Sequence, residues 1–404
     1  MPVQTPIYMD HHATTPVDER VLEAMLPYFK GQFGNAASRT HIFGWTAEEA
    51  VDRAREQISA LIGAQPKEII FTSGATESNN LAVKGVAAAY RDRGNHIITQ
   101  TTEHHAVLDP CKALKRQGYD IAVLPVDKYG QLSAQAIAEA MTDQTILVSV
   151  MAANNEIGTL QSVSEIGTIC KEKNIPFHSD AAQAVGKIPL DVEAHGMDLL
   201  SISAHKLYGP KGVGVLYVRA KPRIQVVAQM DGGGHERGMR SGTLNVPGIV
   251  GLGVACEIAQ EEMAAEAKET KILRDRLQQK LFDGLDQIYL NGHPEKRLAG
   301  NLNISFACAD GESLLMGLSD IALSSGSACT SATLEPSYVL HALGLSKDLA
   351  QNSIRFGIGR HNTESEIDYV AAQVIAEVNR LREISPHYKS DPESKQIAEK
   401  AESF

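Results

Sequence analysis

Six short apolar runs, separated by longer helical patterns, fill the stretch from about Lys67 to Val218 and constrain the fold more than any other feature. They are Ile69–Thr72, His96–Thr99, Ile121–Leu124, Ile146–Val150, Pro176–His178 and Leu199–Ile202. Strands of this kind, spaced by helices, predict a largely parallel sheet covered on both faces. A sheet so built places ligands beyond the C-terminal ends of its strands. Polar clusters sit at those ends: Ser73-Gly74-Ala75-Thr76, Glu103-His104-His105, Asn154-Asn155-Glu156 and Asp180. One rim is expected to collect them.

After Gly242 the pattern changes to a long helical stretch from Ile249 to Phe282, read as a connecting helix into a second unit. Strand and helix mix again from Asn301 to about Leu381. The expected fold class is therefore α/β, a large domain with a mostly parallel sheet plus a smaller α+β domain. We expect the large domain at 16–262 and the small domain at 1–15 and 263–386. Residues 387–404 read as a mobile or weakly helical polar tail.

Composition narrows the function classes. The 404 residues carry a formal charge of -11, which argues against nucleic-acid binding through a broad basic surface. No basic segment followed by an apolar one opens the chain, and nowhere do about 18 apolar residues run together, so a cytoplasmic protein without a membrane span is expected. The five cysteines, Cys111, Cys170, Cys256, Cys308 and Cys329, are scattered and unpaired in spacing, as in a reducing compartment. Buried thiols are expected at the first four.

The richest segment is Ser201-Ile202-Ser203-Ala204-His205-Lys206-Leu207-Tyr208-Gly209, an apolar strand running into Ser, His and Lys. A sheltered lysine amine, partly unprotonated, makes a Schiff base with an aldehyde cofactor. Ser203 and His205 beside it can donate to a phosphate. Asp180 closes the strand before, where its carboxylate can hold the ring nitrogen of pyridoxal protonated, and Gln183 can meet the phenolic oxygen. Taken alone, Asp180 reads equally as a helix N-cap. The turn at Ala75 and Thr76 opens a helix, which suits an anion or simply a cap. His104 follows a strand, placed to stack on a ring and to move protons near neutral pH. No spacing of His, Cys and carboxylates suggests a metal. The run Leu323-Ser324-Ser325-Gly326-Ser327-Ala328-Cys329-Thr330-Ser331-Ala332 is too small-sided to fill a core, so Cys329 is expected to be mobile and reachable.

Together these segments resemble the IscS/NifS-type cysteine desulfurases of the class V aminotransferase family, pyridoxal-phosphate enzymes of fold type I. The likeness spans about residues 7–386. It rests on Tyr8-Met9-Asp10 with Ala13-Thr14-Thr15-Pro16, Thr72 through Asn79, Thr102-Glu103-His104, Asn154-Asn155-Glu156, Ser203-Ala204-His205-Lys206, Gly233 through Glu236, Arg240-Ser241-Gly242-Thr243, and Ser324 through Cys329.

The resemblance implies that Lys206 binds pyridoxal 5'-phosphate, with Asp180 at the ring nitrogen, Gln183 at the phenolic oxygen and His104 stacked as an acid/base. Ala75, Thr76, Ser203 and His205 would hold the phosphate, joined by Thr243 from the other subunit of a homodimer. Asn155, Arg355 and Asn35 would hold the substrate carboxylate. L-cysteine would displace Lys206 and lose a proton from Cα, and Cys329 would take the sulfur as a persulfide, leaving alanine. The implied acceptors are proteins of iron–sulfur assembly or tRNA thiolation, including a transient scaffold with its iron–sulfur cluster built near Cys329. The chain departs from the family pattern at Ala37, at His11-His12 and in its tail. The competing readings are a selenocysteine lyase, an aminotransferase, or a silent sulfur carrier on the same fold.

Overall fold

The computed structural model describes residues 3–325, 336–386 and 388. Cys329 and the tail beyond residue 388 lie outside the described residues.

The chain opens with β1 (Ile7–Tyr8), then α1 (Glu19–Met25) and α2 (Ile42–Ile62). Next come β2 (Ile69–Thr72), α3 (Ala75–Ala89), β3 (His96–Gln100), α4 (His105–Arg116), β4 (Asp120–Leu124), α5 (Ala134–Ala140) and β5 (Thr145–Ser149). Then follow α6 (Val163–Glu172), β6 (Phe177–Asp180), β7 (Leu199–Ser203) and β8 (Gly214–Val218). Strands β2 to β8 form one seven-stranded sheet in the order β2-β8-β7-β6-β5-β3-β4.

Neighbours from β7 through β6, β5, β3 and β4 run parallel, and β8 is antiparallel to both β7 and β2. The exception has a simple cause. Only residues 204–213 link β7 to β8, too few for the helical crossover that a parallel pair requires. Alternate side chains feed two cores: Ile69 and Phe71 face one, with Phe177, Ile202 and Val215, and Ile70 faces the other, with Ile97, Leu199 and Leu216. The central strands are buried throughout, whereas the edge strand β4 is half exposed.

Helix α7 (Val246–Gly284) starts behind an Asn245 cap and runs 39 residues, about 58 Å at 1.5 Å each. Its first turns pack into the large core through Ile249, Leu252 and Cys256. Its last turns enter another core through Leu277 and Leu281. That second core belongs to a four-stranded antiparallel sheet, β12-β13-β10-β9, formed by β9 (Ile288–Leu290), β10 (Asn301–Phe306), β12 (Ser324–Ser325) and β13 (Ser353–Gly357). Parallel to β1 runs β11 (Ile321–Ala322), so Ile7 and Met9 join the second core. Short helices α8 (Gly311–Gly317), α9 (Tyr338–Ala342) and α10 (Lys347–Gln351) precede α11 (Glu364–Ile384), whose Ile367, Val370, Val374 and Val378 close it. Among the described residues no helix is long and apolar enough to cross a membrane.

Candidate active site

A cavity of about 590 Å³ opens above the C-terminal ends of β2, β3, β6 and β7, roofed by Arg355 of β13 and the chain after β1. Its volume falls in the range of small-molecule sites.

One end is an anion cradle. Strand β2 turns through Gly74, at φ 148°, directly into α3, so the first-turn N–H groups at Ala75 and Thr76 lack carbonyl partners within the helix. The turn is held by Thr72 Oγ1 at 2.7 Å from Ser78 Oγ, and by Glu77, which accepts from Ser73 N at 2.7 Å and pairs with Arg240 at 2.7 Å. Ser203, ending β7, borders it: a Cβ at Gly74 would sit 3.8 Å from Ser203 Oγ. His205 joins from the following turn, its Nδ1 3.1 Å from Thr14 Oγ1. Burial, reinforced by Lys206, Lys211 and Lys187, pushes His205 down to about 4, so the ring is neutral.

The next wall carries a carboxylate. Asp180 ends β6, accepting from Asn79 Nδ2 at 2.6 Å and from Ala182 N at 2.9 Å. Gln183, one short turn on, donates from Nε2 to the His12 carbonyl at 2.9 Å and accepts at Oε1 from Lys187 Nζ at 3.0 Å. The Lys206 amine, half-buried, donates to the carbonyls of His12 and Ala13 at 2.6 Å each. His104 caps α4 and accepts at Nδ1 from Ala106 N at 3.1 Å. Burial lowers its pKa against the opposing pull of Asp180. Beneath it Glu103 is fully buried and pushed up to about 8, chiefly by burial, with Oε1 accepting from Met151 N.

The far end holds Arg355, at 2% exposure one of the two largest fully buried side chains among the described residues. It donates to Asp10 Oδ1 at 2.8 Å and to the Asn155 carbonyl at 3.0 Å, and its Nε has no partner among the described residues. Ser324 lies opposite it in register on β12.

The cavity thus brings together Ala75, Thr76, His104, Asn155, Asp180, Gln183, Ser203, His205, Lys206 and Arg355. It does not bring in Asn35, whose exposed side chain accepts from Ala37 N at 2.9 Å. Thr243 is exposed and outside the cavity of its own chain. Cys329 lies outside the described residues. Cys111, Cys170 and Cys256 are buried, whereas Cys308 is half-buried, because it sits at φ 60° in the turn after β10 rather than in an element. Asn79, Asp10, His12 and Lys187 also shape the site. The first two fall inside the quoted motifs, which is the signal that could have assigned them. No group of three or more His, Cys or carboxylate residues able to hold a metal occurs among the described residues.

These groups fit pyridoxal phosphate. A donor cradle, a carboxylate braced by Asn79 and a lysine amine surround one cavity, and the buried Asn79 Oδ1 and Arg355 Nε have no partner among the described residues. The aminotransferase class-V family matches residues 7–370, and the chain belongs to that family of pyridoxal-phosphate enzymes. Within it the chain stands with the cysteine desulfurases. It is 59% identical over 387 residues to the cysteine desulfurase IscS of Anaeromyxobacter sp. (strain Fw109-5), covering 96% of each chain. Among solved structures it resembles a NifS-like protein at TM-score 0.86 and 39% identity, covering 92% of this chain and 99% of that one. It also resembles SspA in complex with cysteine, at TM-score 0.79 and 38% identity, covering 88% and 100%.

Proposed function

We propose that this cysteine desulfurase passes the sulfur of L-cysteine to Cys329, releasing L-alanine, and that Lys206 is the lysine that binds the cofactor. The observation that carries this reading is one cavity with an anion cradle and the Asp180 carboxylate around Lys206, and a buried arginine facing them.

Pyridoxal phosphate, when bound, supplies an electron sink for the charge that develops at Cα. Ala75, Thr76, Ser203 and His205 would hold its phosphate, and Asp180 would keep the ring nitrogen protonated. Gln183 spends one amide hydrogen on the His12 carbonyl, leaving the other for the phenolic oxygen. Arg355 and Asn155 would take the substrate carboxylate, since a guanidinium fork matches it and Arg355 Nε has no partner among the described residues. The Cys329 thiolate attacks the substrate sulfur. A sulfur–sulfur bond forms as the Cβ–S bond breaks, and the electron pair left on carbon takes a proton to give alanine.

Two further readings belong with this one. The exposed Leu22, Leu26, Phe29, Phe33, Phe43 and Trp45 support a homodimer, because a lone soluble chain rarely displays so many large apolar side chains over one short stretch. Exposed Thr243 would then serve the partner subunit's phosphate site. Acceptor proteins of iron–sulfur assembly or tRNA thiolation would collect the persulfide sulfur, in a cytoplasmic setting.

Two variants test the assignment. Cys329→Ser should keep the visible absorbance of the lysine-bound cofactor and lose alanine and sulfide production from cysteine. Lys206→Ala should lose that absorbance. Undiminished turnover in the first, or an unchanged spectrum in the second, overturns the corresponding role.

A further inference from the structure

Hydrogen bonding fixes which nitrogen carries the proton in two of the imidazoles that line the cavity, and the two come out opposite. At His104, Nδ1 lies 3.1 Å from the Ala106 N–H, which can only donate. Nδ1 therefore holds a lone pair and the neutral ring carries its hydrogen on Nε2. His104 can offer a hydrogen to a ligand but has no open nitrogen to receive one.

His12 is the reverse. The Gln183 Nε2 group donates to the His12 carbonyl at 2.9 Å, and a carbonyl only accepts, so the amide can be oriented in one way. Lys187 Nζ, donating to Oε1 at 3.0 Å, agrees with the same orientation. His12 Nδ1, 3.0 Å from that oxygen, must then be the donor. Its lone pair is left on Nε2, which is buried and has no partner among the described residues. The side chain is 3% exposed and borders both the main cavity and a small one behind it. Burial, with Lys187, Arg355 and Lys206 as the charged groups around it, holds the ring neutral and well below its ordinary range. Its backbone carbonyl meanwhile accepts from Lys206 at 2.6 Å, so the residue adjoins the amine that the substrate must replace.

We propose that His12, through Nε2, accepts the proton that the ammonium of incoming cysteine must lose before its nitrogen can replace Lys206. The step balances: the N–H bond breaks with its electron pair left on the substrate nitrogen, the Nε2–H bond forms, and the proton returns to the alanine amine as product leaves. Of the three cations that oppose this charge, Lys206 carries no ammonium once it holds the cofactor, and Arg355 gains a carboxylate when cysteine binds. The inference rests on the desulfurase reading of the cavity and adds to it a second ring with the role that His104 cannot take.

Stopped-flow absorbance of the holoenzyme mixed with cysteine separates the two. In His12→Gln the first cofactor absorbance change should slow by about 100-fold, the scale of a lost general base. In Cys329→Ser that first change should keep its rate while persulfide formation disappears. Absence of any cysteine-dependent change in the unsubstituted enzyme would instead sink the desulfurase reading. His12→Asn provides a second variant should the glutamine protein not fold. Nitrogen-15 spectra of the histidine-labelled, unsubstituted full chain should show hydrogen on Nδ1 of His12 and on Nε2 of His104. An unaltered first phase in a folded His12 variant, or hydrogen on His12 Nε2, overturns the proposal.

Discussion

Asp180 owes its orientation to Asn79, a residue of α3 that lies 101 positions away in sequence and donates to it at 2.6 Å. A hydrogen bond to a charged group is worth about 1.5–3 kcal/mol, so Asn79→Ala should weaken pyridoxal phosphate binding by roughly 10- to 100-fold. Absorbance titration of apoprotein with the cofactor measures this. Asn79→Asp should be worse, since it sets a second carboxylate beside the first. At this scale the sequence is legible where a residue's chemistry is rare in its setting. Lys206 after an apolar strand and Asp180 closing another stand out because charge at a strand end needs a reason. Asn79 does not stand out, because an asparagine inside a helix announces no partner. His12 is similar: its role depends on a glutamine and a lysine more than 170 residues on, whose directions only the folded chain fixes.

Elements meet the cofactor site through very close backbone approach, and β8 is the clearest case. A Cβ at Gly214 would fall 2.5 Å from the Ile202 carbonyl oxygen and 2.6 Å from Gly74 Cα, both backbone atoms unable to move aside cheaply. Gly214→Ala should therefore push β8 away from the anion cradle, destabilise the protein by about 1–3 kcal/mol and loosen cofactor binding. Urea unfolding followed by the same absorbance titration reads both effects. The apolar runs predicted the strands β2 to β7 within a residue or two, because a strand buried on both faces reads as an unbroken apolar word. Strand β8 and its antiparallel direction were not in that pattern, and a linker of ten residues decides that direction.

Over the whole molecule, burial of Glu103 couples folding to pH. Its folded pKa is raised to about 8 from an ordinary 4.5, so between those values the folded chain keeps a proton that the unfolded chain has lost. Folding then takes up a proton, and this contribution to stability declines as pH rises through that window. Glu103→Gln removes the titration. Its stability relative to the parent should therefore improve steadily from pH 4.5 to about 8, as thermal unfolding at several pH values would show, and a pH-independent difference would refute it. The proposed homodimer has its own test at this scale. Mixed dimers of Lys206→Ala and Thr243→Ala chains should recover up to half the parental turnover, because one of their two sites would have both Lys206 and the partner's Thr243. No recovery would place Thr243 outside the partner's site. By itself the sequence determined the alternating α/β layout and the rim where chemistry gathers, since apolar period and strand-end polarity are local properties of the chain. Only the tertiary structure decided that Arg355, 345 residues from Asp10, roofs the cavity and that His12 and His104 present opposite nitrogens. Those facts depend on distances between remote segments, and hydrogen-bond direction exists only once donor and acceptor have been brought together.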